Sequence, residues 1–166
     1  MILGAIVDNL NANKASKRPV FTYCREDQQK SMRPDFVIKA ERSQDTAPKP
    51  VFVLEAKKID ENKPLKDHLP QLFDYLRRLC LEHRYSHLFG VLTNYKSWIF
   101  VKFDLTAEVI AVRDRQVRHD EVAARFEVSP EVKIFEDLQQ LQTNNLAKVI
   151  EIISLCCTLL TSGQPQ

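Results

Sequence analysis

Apolar residues recur at Ile2, Ile6 and Leu10, four apart, and this spacing predicts a short first helix. The stretch "KRPVFTYC" then reads as a strand, and "RPDFVIKA" as a second strand starting near Asp35. "ERSQDTAPKP" is polar and carries proline, the composition of a loop. In "VFVLEAKK", residues 51–58, Val51 and Val53 share one face and Phe52, Leu54 and Ala56 the other. A strand apolar on both faces belongs in a sheet interior. Leu65, Leu69, Leu72, Phe73, Leu76 and Cys80 then follow at helical intervals, predicting a helix from near His68 to Arg84 with Pro70 in its first turn or at a kink. "HLFGVLTN" and "WIFVKFD" read as strands joined by a turn at "YKS", and "EVIAVR" as a further one. In "SPEVKIFEDLQQL", Ser129 as cap and Pro130 as first helical residue predict a helix, followed by a strongly apolar last one over "NLAKVIEIISLCCTLL" and a frayed tail "TSGQPQ".

Helix, three strands, helix and further strands make an α/β pattern with the sheet packed between helices. At 166 residues, 44% hydrophobic and 28% charged, the chain suits one soluble domain with a real core. No apolar run approaches the roughly 20 residues that cross a bilayer, so no membrane partner is expected. The opening "MILGAIVDNL" lacks a basic start and a small-residue cleavage site. An intracellular location, cytoplasmic or nuclear, is therefore expected. Cys24, Cys80, Cys156 and Cys157 form no CxxC pair, which removes zinc spacing and leaves buried thiols in a reducing compartment. Four histidines without HxH or HExxH spacing exclude a histidine–metal site, and glycines only at 4, 90 and 163 exclude a glycine-rich phosphate loop.

The chemistry-bearing pattern begins at the end of the third strand, where Glu55 and Lys57 continue the face of Val51 and Val53. Residues two apart on a strand lie about 6.5 Å from each other. An acid and a base can therefore serve one point in space. Upstream, Pro34 and Asp35 precede the second strand. If the two strands pair, Asp35 lies beside Glu55, and a hard divalent cation relieves the repulsion between the two carboxylates. Magnesium takes one or two carboxylates plus waters and phosphate oxygens, and a metal-bound water becomes a nucleophile at neutral pH. Lys57 would position that water and offset charge growing on a phosphate. These are the residue types that phosphodiester hydrolysis needs.

Pro34-Asp35 followed by Glu55-Ala56-Lys57 resembles the PD-(D/E)XK nuclease superfamily, the restriction-endonuclease-like fold. Gln71 to Tyr75, "QLFDY", has the QxxxY form found after the ExK strand in the RecB-like branch. "FGVLTNYKSWIFVKFD" is more loosely similar to the corresponding strand pair in type I restriction subunits and Crinkler-type effectors. The resemblance spans residues 1–104. It implies a restriction-endonuclease-like core there; residues 105–166 lie outside the resemblance, and by their own pattern add a strand and two helices to a single nuclease-like domain. It implies Asp35, Glu55 and Lys57 as catalytic residues and Gln71 and Tyr75 as supports that contact the strand. A metal would be held by Asp35, Glu55 and the Ala56 backbone carbonyl. Many relatives place an acid on the first helix, where this chain has only Asp8; Glu26 in "CREDQQK" is the alternative, and the sequence leaves open whether either joins the site.

The expected function is magnesium-dependent hydrolysis of DNA, with manganese able to substitute. A catalytically inactive nuclease-fold module that binds nucleic acid or protein is the alternative, and RNA cleavage a third reading. A homodimer or a larger multidomain context are the further partner expectations. Net charge is only +2, so any nucleic-acid contact must come from local clusters such as Lys57, Lys58, Lys63 and Lys66, or Arg113, Arg115 and Arg118.

Overall fold

The computed structural model describes residues 2–12, 19–25, 34–41, 47–60, 62–83, 85–104, 126–134 and 143–162. Along the chain these form α1 (Ile2–Ala12), β1 (Val20–Arg25), β2 (Phe36–Glu41), β3 (Lys49–Ala56), a 3-10 turn (Leu65–His68), α2 (Leu69–His83), β4 (His87–Thr93) and β5 (Ser97–Asp104). Then come β6 (Phe126–Val128), β7 (Val132–Lys133) and α3 (Thr143–Ser162). The protein is a mixed α/β structure built on one sheet in the order β1-β2-β3-β4-β5-β6, with β7 also on β5. All of these pairs are antiparallel except β3 with β4. A parallel pair needs a crossover, and α2 supplies it.

The doubly apolar β3 is interior, as its pattern predicts: every residue from Pro50 to Glu55 is buried. Val53, Gly90 and Val101 stand in register across β3, β4 and β5 and therefore share a face. That face receives α2. A Cβ added at Gly90 would lie 3.0 Å from Leu72 and 3.1 Å from Leu76. The absent side chain is what lets the helix sit this close. Phe126 of β6 closes the same layer, stacking on Phe73 of α2 at 3.9 Å and on Phe103 of β5 at 4.7 Å. The other face carries Phe52, Leu54, Val91 and Phe100, with α3 laid on β3 and β4 and α1 beside it. Val149, Ile153, Cys157 and Leu160 form the buried stripe of α3. Each such large side chain withdrawn from water contributes about 1.5–3 kcal/mol.

Several boundaries differ from the sequence reading. Lys49 and Pro50 belong to β3 and not to the preceding loop. The β2–β3 register shifts at Ile38/Lys39, beside the one position of β3 that has no amide hydrogen to give the ladder. Ser129 and Pro130 do not start a helix, because Val132–Lys133 is strand β7. Ser129 instead exchanges bonds with Phe100: its amide donates to the Phe100 carbonyl, and the Phe100 amide to its hydroxyl, both at 2.9 Å. The polar side chain and imino ring that suit a helix start also suit a strand connection. The expected tail "TSGQPQ" is helical at Thr161 and Ser162, the last residues of α3; its remainder, the expected "EVIAVR" strand, "FEDLQQL" and Arg84 lie outside the described residues, so α2 is described to His83. Past residue 105 the described elements are two short strands and one helix. Against the expectation of no such run, that helix, α3, is long and apolar enough over Asn144–Thr161 to cross a membrane by length and composition. Here its buried stripe is core.

Candidate functional site

The ladder places Phe36 opposite Leu54. One step further along the same register, Asp35 faces Glu55. The two residues lock onto each other: the Asp35 amide donates to Glu55 Oε2 at 3.3 Å, and the Ala56 amide donates to Asp35 Oδ2 at 2.8 Å. Pro34 stands where the chain enters β2, and its ring fixes φ in a range that extended backbone accepts. Both carboxylates thus sit at the end of β3, where the antiparallel β2 begins and the parallel β4 ends.

Lys57 follows directly. Its amide donates to the Thr93 carbonyl at 2.7 Å, so the end of β4 holds the backbone of the lysine in place. Its Nζ donates to Glu55 Oε1 at 2.5 Å and to Gln71 Oε1 at 2.6 Å. Gln71 Nε2 in turn donates to the Tyr75 hydroxyl at 2.7 Å. Gln71 and Tyr75, four apart, share the face of α2 turned toward the strand end. The amide orientation of Gln71 has a chemical reason. An ammonium offers only donors, so Gln71 must present its oxygen to Lys57 and its nitrogen to Tyr75. Two of the three Lys57 protons are used in this way, leaving one for a further acceptor.

Burial makes the charges costly. Glu55 is 2% exposed. Its desolvation pushes the carboxyl pKa up, opposed by the Lys57 hydrogen bond and reinforced by the negative charge of Asp35. Two acids facing one ammonium leave the cluster short of positive charge. Asp35 Oδ1 has no partner among the described residues. Burial also raises the Tyr75 pKa, keeping the phenol protonated. His68, on the turn before α2, has its pKa lowered by burial and by Lys63 and Lys57, so it adds no charge at neutral pH.

The side chains of Glu55, Lys57, Gln71 and Tyr75 form one hydrogen-bonded chain, and Asp35 joins it through its backbone amide while its carboxylate holds the Ala56 amide. The donor set fits a hard cation. Two carboxylates share a charge deficit, and the Ala56 carbonyl belongs to the same strand end. Magnesium asks for no more protein oxygens than that. Among the described residues no three His, Cys, Asp or Glu side chains gather to hold an ion. Asp8 is an exposed residue of α1 and does not join the pair, and Glu26 lies outside the described residues. Sequence reasoning missed Thr93, which ties β4 to Lys57. Its signal was the "TN" before the β4–β5 turn, readable as turn chemistry but not as a clamp. Comparison with family models, curated proteins and solved structures returned no match to this chain.

Proposed function

We propose that the protein is a metal-dependent nuclease of the PD-(D/E)XK type that hydrolyses phosphodiester bonds of DNA. The supporting observation is the unbroken chain Asp35–Glu55–Lys57–Gln71–Tyr75 at the end of a buried strand. An ordinary emerging ion pair needs neither the second acid nor the glutamine and tyrosine behind the lysine. The order of elements, helix, three strands, helix, strands, supports the reading, since it is the order that the resemblance implies.

Asp35, Glu55 and the Ala56 carbonyl would hold magnesium, or manganese in its place. When bound, the metal supplies charge neutralisation for the phosphate and acidifies water. Lys57 aligns the attacking water with its remaining proton and offsets the charge that grows on the phosphorus oxygens. Gln71 fixes the Lys57 rotamer, and Tyr75 fixes the Gln71 amide, so the ammonium is pre-aimed before substrate arrives. Exclusion of water from Glu55 strengthens each of these contacts.

The test combines binding and turnover. Magnesium at a hundred times its Kd stabilises the folded protein by about 2.7 kcal/mol, and Asp35→Ala should abolish that gain in a melting experiment. Cleavage of single- and double-stranded DNA should fall by about 100-fold or more in Lys57→Ala. Equal cleavage by wild type, Asp35→Ala, Glu55→Ala and Lys57→Ala would remove the assignment.

A further inference from the structure

The β4–β5 turn carries an aromatic side chain in an unfavourable backbone setting. Tyr95 has φ of 70°, the one non-glycine residue with positive φ among those described, and its side chain is 55% exposed. This left-handed region suits glycine or asparagine, because a Cβ crowds the carbonyl there. The turn is held from several directions. Thr93 Oγ1 donates to the Ser97 carbonyl and accepts from the Tyr95 amide, both at 2.9 Å. Asn94 Oδ1 accepts from the Lys96 and Ser97 amides at 3.1 and 2.9 Å. The surroundings enforce the strain at Tyr95, a condition that clusters at functional sites.

Its position gives the ring a use. Tyr95 lies two residues beyond the Thr93 carbonyl that receives the Lys57 amide. On the other side, Ile59 lies two residues beyond Lys57 and is 50% exposed. The anionic and cationic groups of the site are thus flanked along the chain by an exposed aromatic and an exposed aliphatic residue. An unpaired nucleic-acid strand has that same layout, a charged backbone beside bare apolar base faces. A blunt duplex keeps its base faces stacked inside.

We propose that Tyr95 is a stacking platform for an unpaired base next to the reactive phosphate, which makes single-stranded DNA, or a single-stranded tail, the substrate of this site. The inference rests on the nuclease reading above for the phosphate, and on Tyr95 for the base. The turn fixes the backbone that carries the ring before binding, so no backbone freedom has to be lost there when a base stacks on it.

The probe is a short labelled oligothymidylate, with binding read by fluorescence anisotropy in EDTA so that no strand is cut. Tyr95→Phe should bind within about twofold of wild type, since stacking needs the ring and not the hydroxyl. Tyr95→Gly should bind about 5- to 150-fold more weakly, yet melt at an equal or higher temperature because glycine relieves the strain. Binding of a blunt duplex should be the same in all three. The proposal falls if Tyr95→Gly binds oligothymidylate as wild type does, if the duplex loses as much, or if wild type does not bind the single strand. Cleavage stays a separate readout. Asp35-dependent cutting without Tyr95-dependent binding would leave the nuclease and remove the platform, and the reverse result would keep the platform without the hydrolase.

Discussion

Restoring a single methyl at Gly90 puts the packing of the site-bearing helix to a quantitative test. The new Cβ of Gly90→Ala would meet Leu72 Cδ1 at 3.0 Å and the Leu76 methyls at 3.1 and 3.3 Å. Carbon pairs prefer roughly 3.5–4.0 Å. All three partners are methyl ends, which can shift by a few tenths of an ångström, but Leu72 and Leu76 are fully buried and have neighbours on every side. Overpacking of this kind costs about 1–3 kcal/mol, while alanine recovers about 0.5–1 kcal/mol of the backbone entropy that glycine loses in a strand. The net expectation is a loss of about 1 kcal/mol, or a fall in Tm of about 2–4 °C for a chain of this size. A double-mutant cycle isolates the clash. Leu72→Ala alone should cost about 2–5 kcal/mol, and in the Gly90→Ala background it should cost less by about 0.5–3 kcal/mol. Thermal and urea unfolding of the four proteins measure both quantities. The larger Gly90→Val should also lower activity, because lifting α2 draws Gln71 away from Lys57. A Tm that rises in Gly90→Ala, or strict additivity in the cycle, would refute the close-packing account.

Two further expectations concern the charges. Burial raises the Glu55 pKa above its ordinary 4.5, so its contribution to stability is full below the unfolded value and is lost as pH rises through the folded one. Without metal, Glu55→Gln should therefore melt above wild type at pH 8, and the gap should close as pH falls toward 4.5; a constant gap across that range would contradict the assignment. Gln71→Ala and Tyr75→Phe should each lower cleavage by about 10- to 100-fold, the usual effect of losing a residue that orients a metal site or its neighbours. Rescue of Gln71→Ala by Gln71→Glu would show that an acceptor facing Lys57 is the part that matters, and unchanged rates in both would separate the pair from the chemistry.

The sequence is most informative where periodicity and chemistry coincide. The two-residue spacing of Glu55 and Lys57, and the four-residue spacing of Gln71 and Tyr75, each place two side chains on one face by geometry alone. The pairing of Asp35 with Glu55 needed only that two adjacent apolar strands form a hairpin. It was less informative where one residue type serves two ends. Ser129–Pro130 suits a helix start as well as a strand connection, and the deciding partner, Phe100, lies 29 residues away. Pro50 reads as a loop residue because its cost to a ladder is local, while the gain of extending β3 comes from its neighbours. The tie between Thr93 and Lys57 depends on parallel pairing across α2, which no local window contains.

The parallel pairing of β3 with β4, the one such pair among the described residues, also governs when the cluster comes into being. Asp35 arrives on the early hairpin, Glu55 and Lys57 on its second arm, Gln71 and Tyr75 on the crossover, and the Thr93 clamp only after it. A growing polypeptide therefore holds an incomplete set until β4 has docked. Possession of the assembled cluster is a report that β3 and β4, separated in the chain by α2, have met.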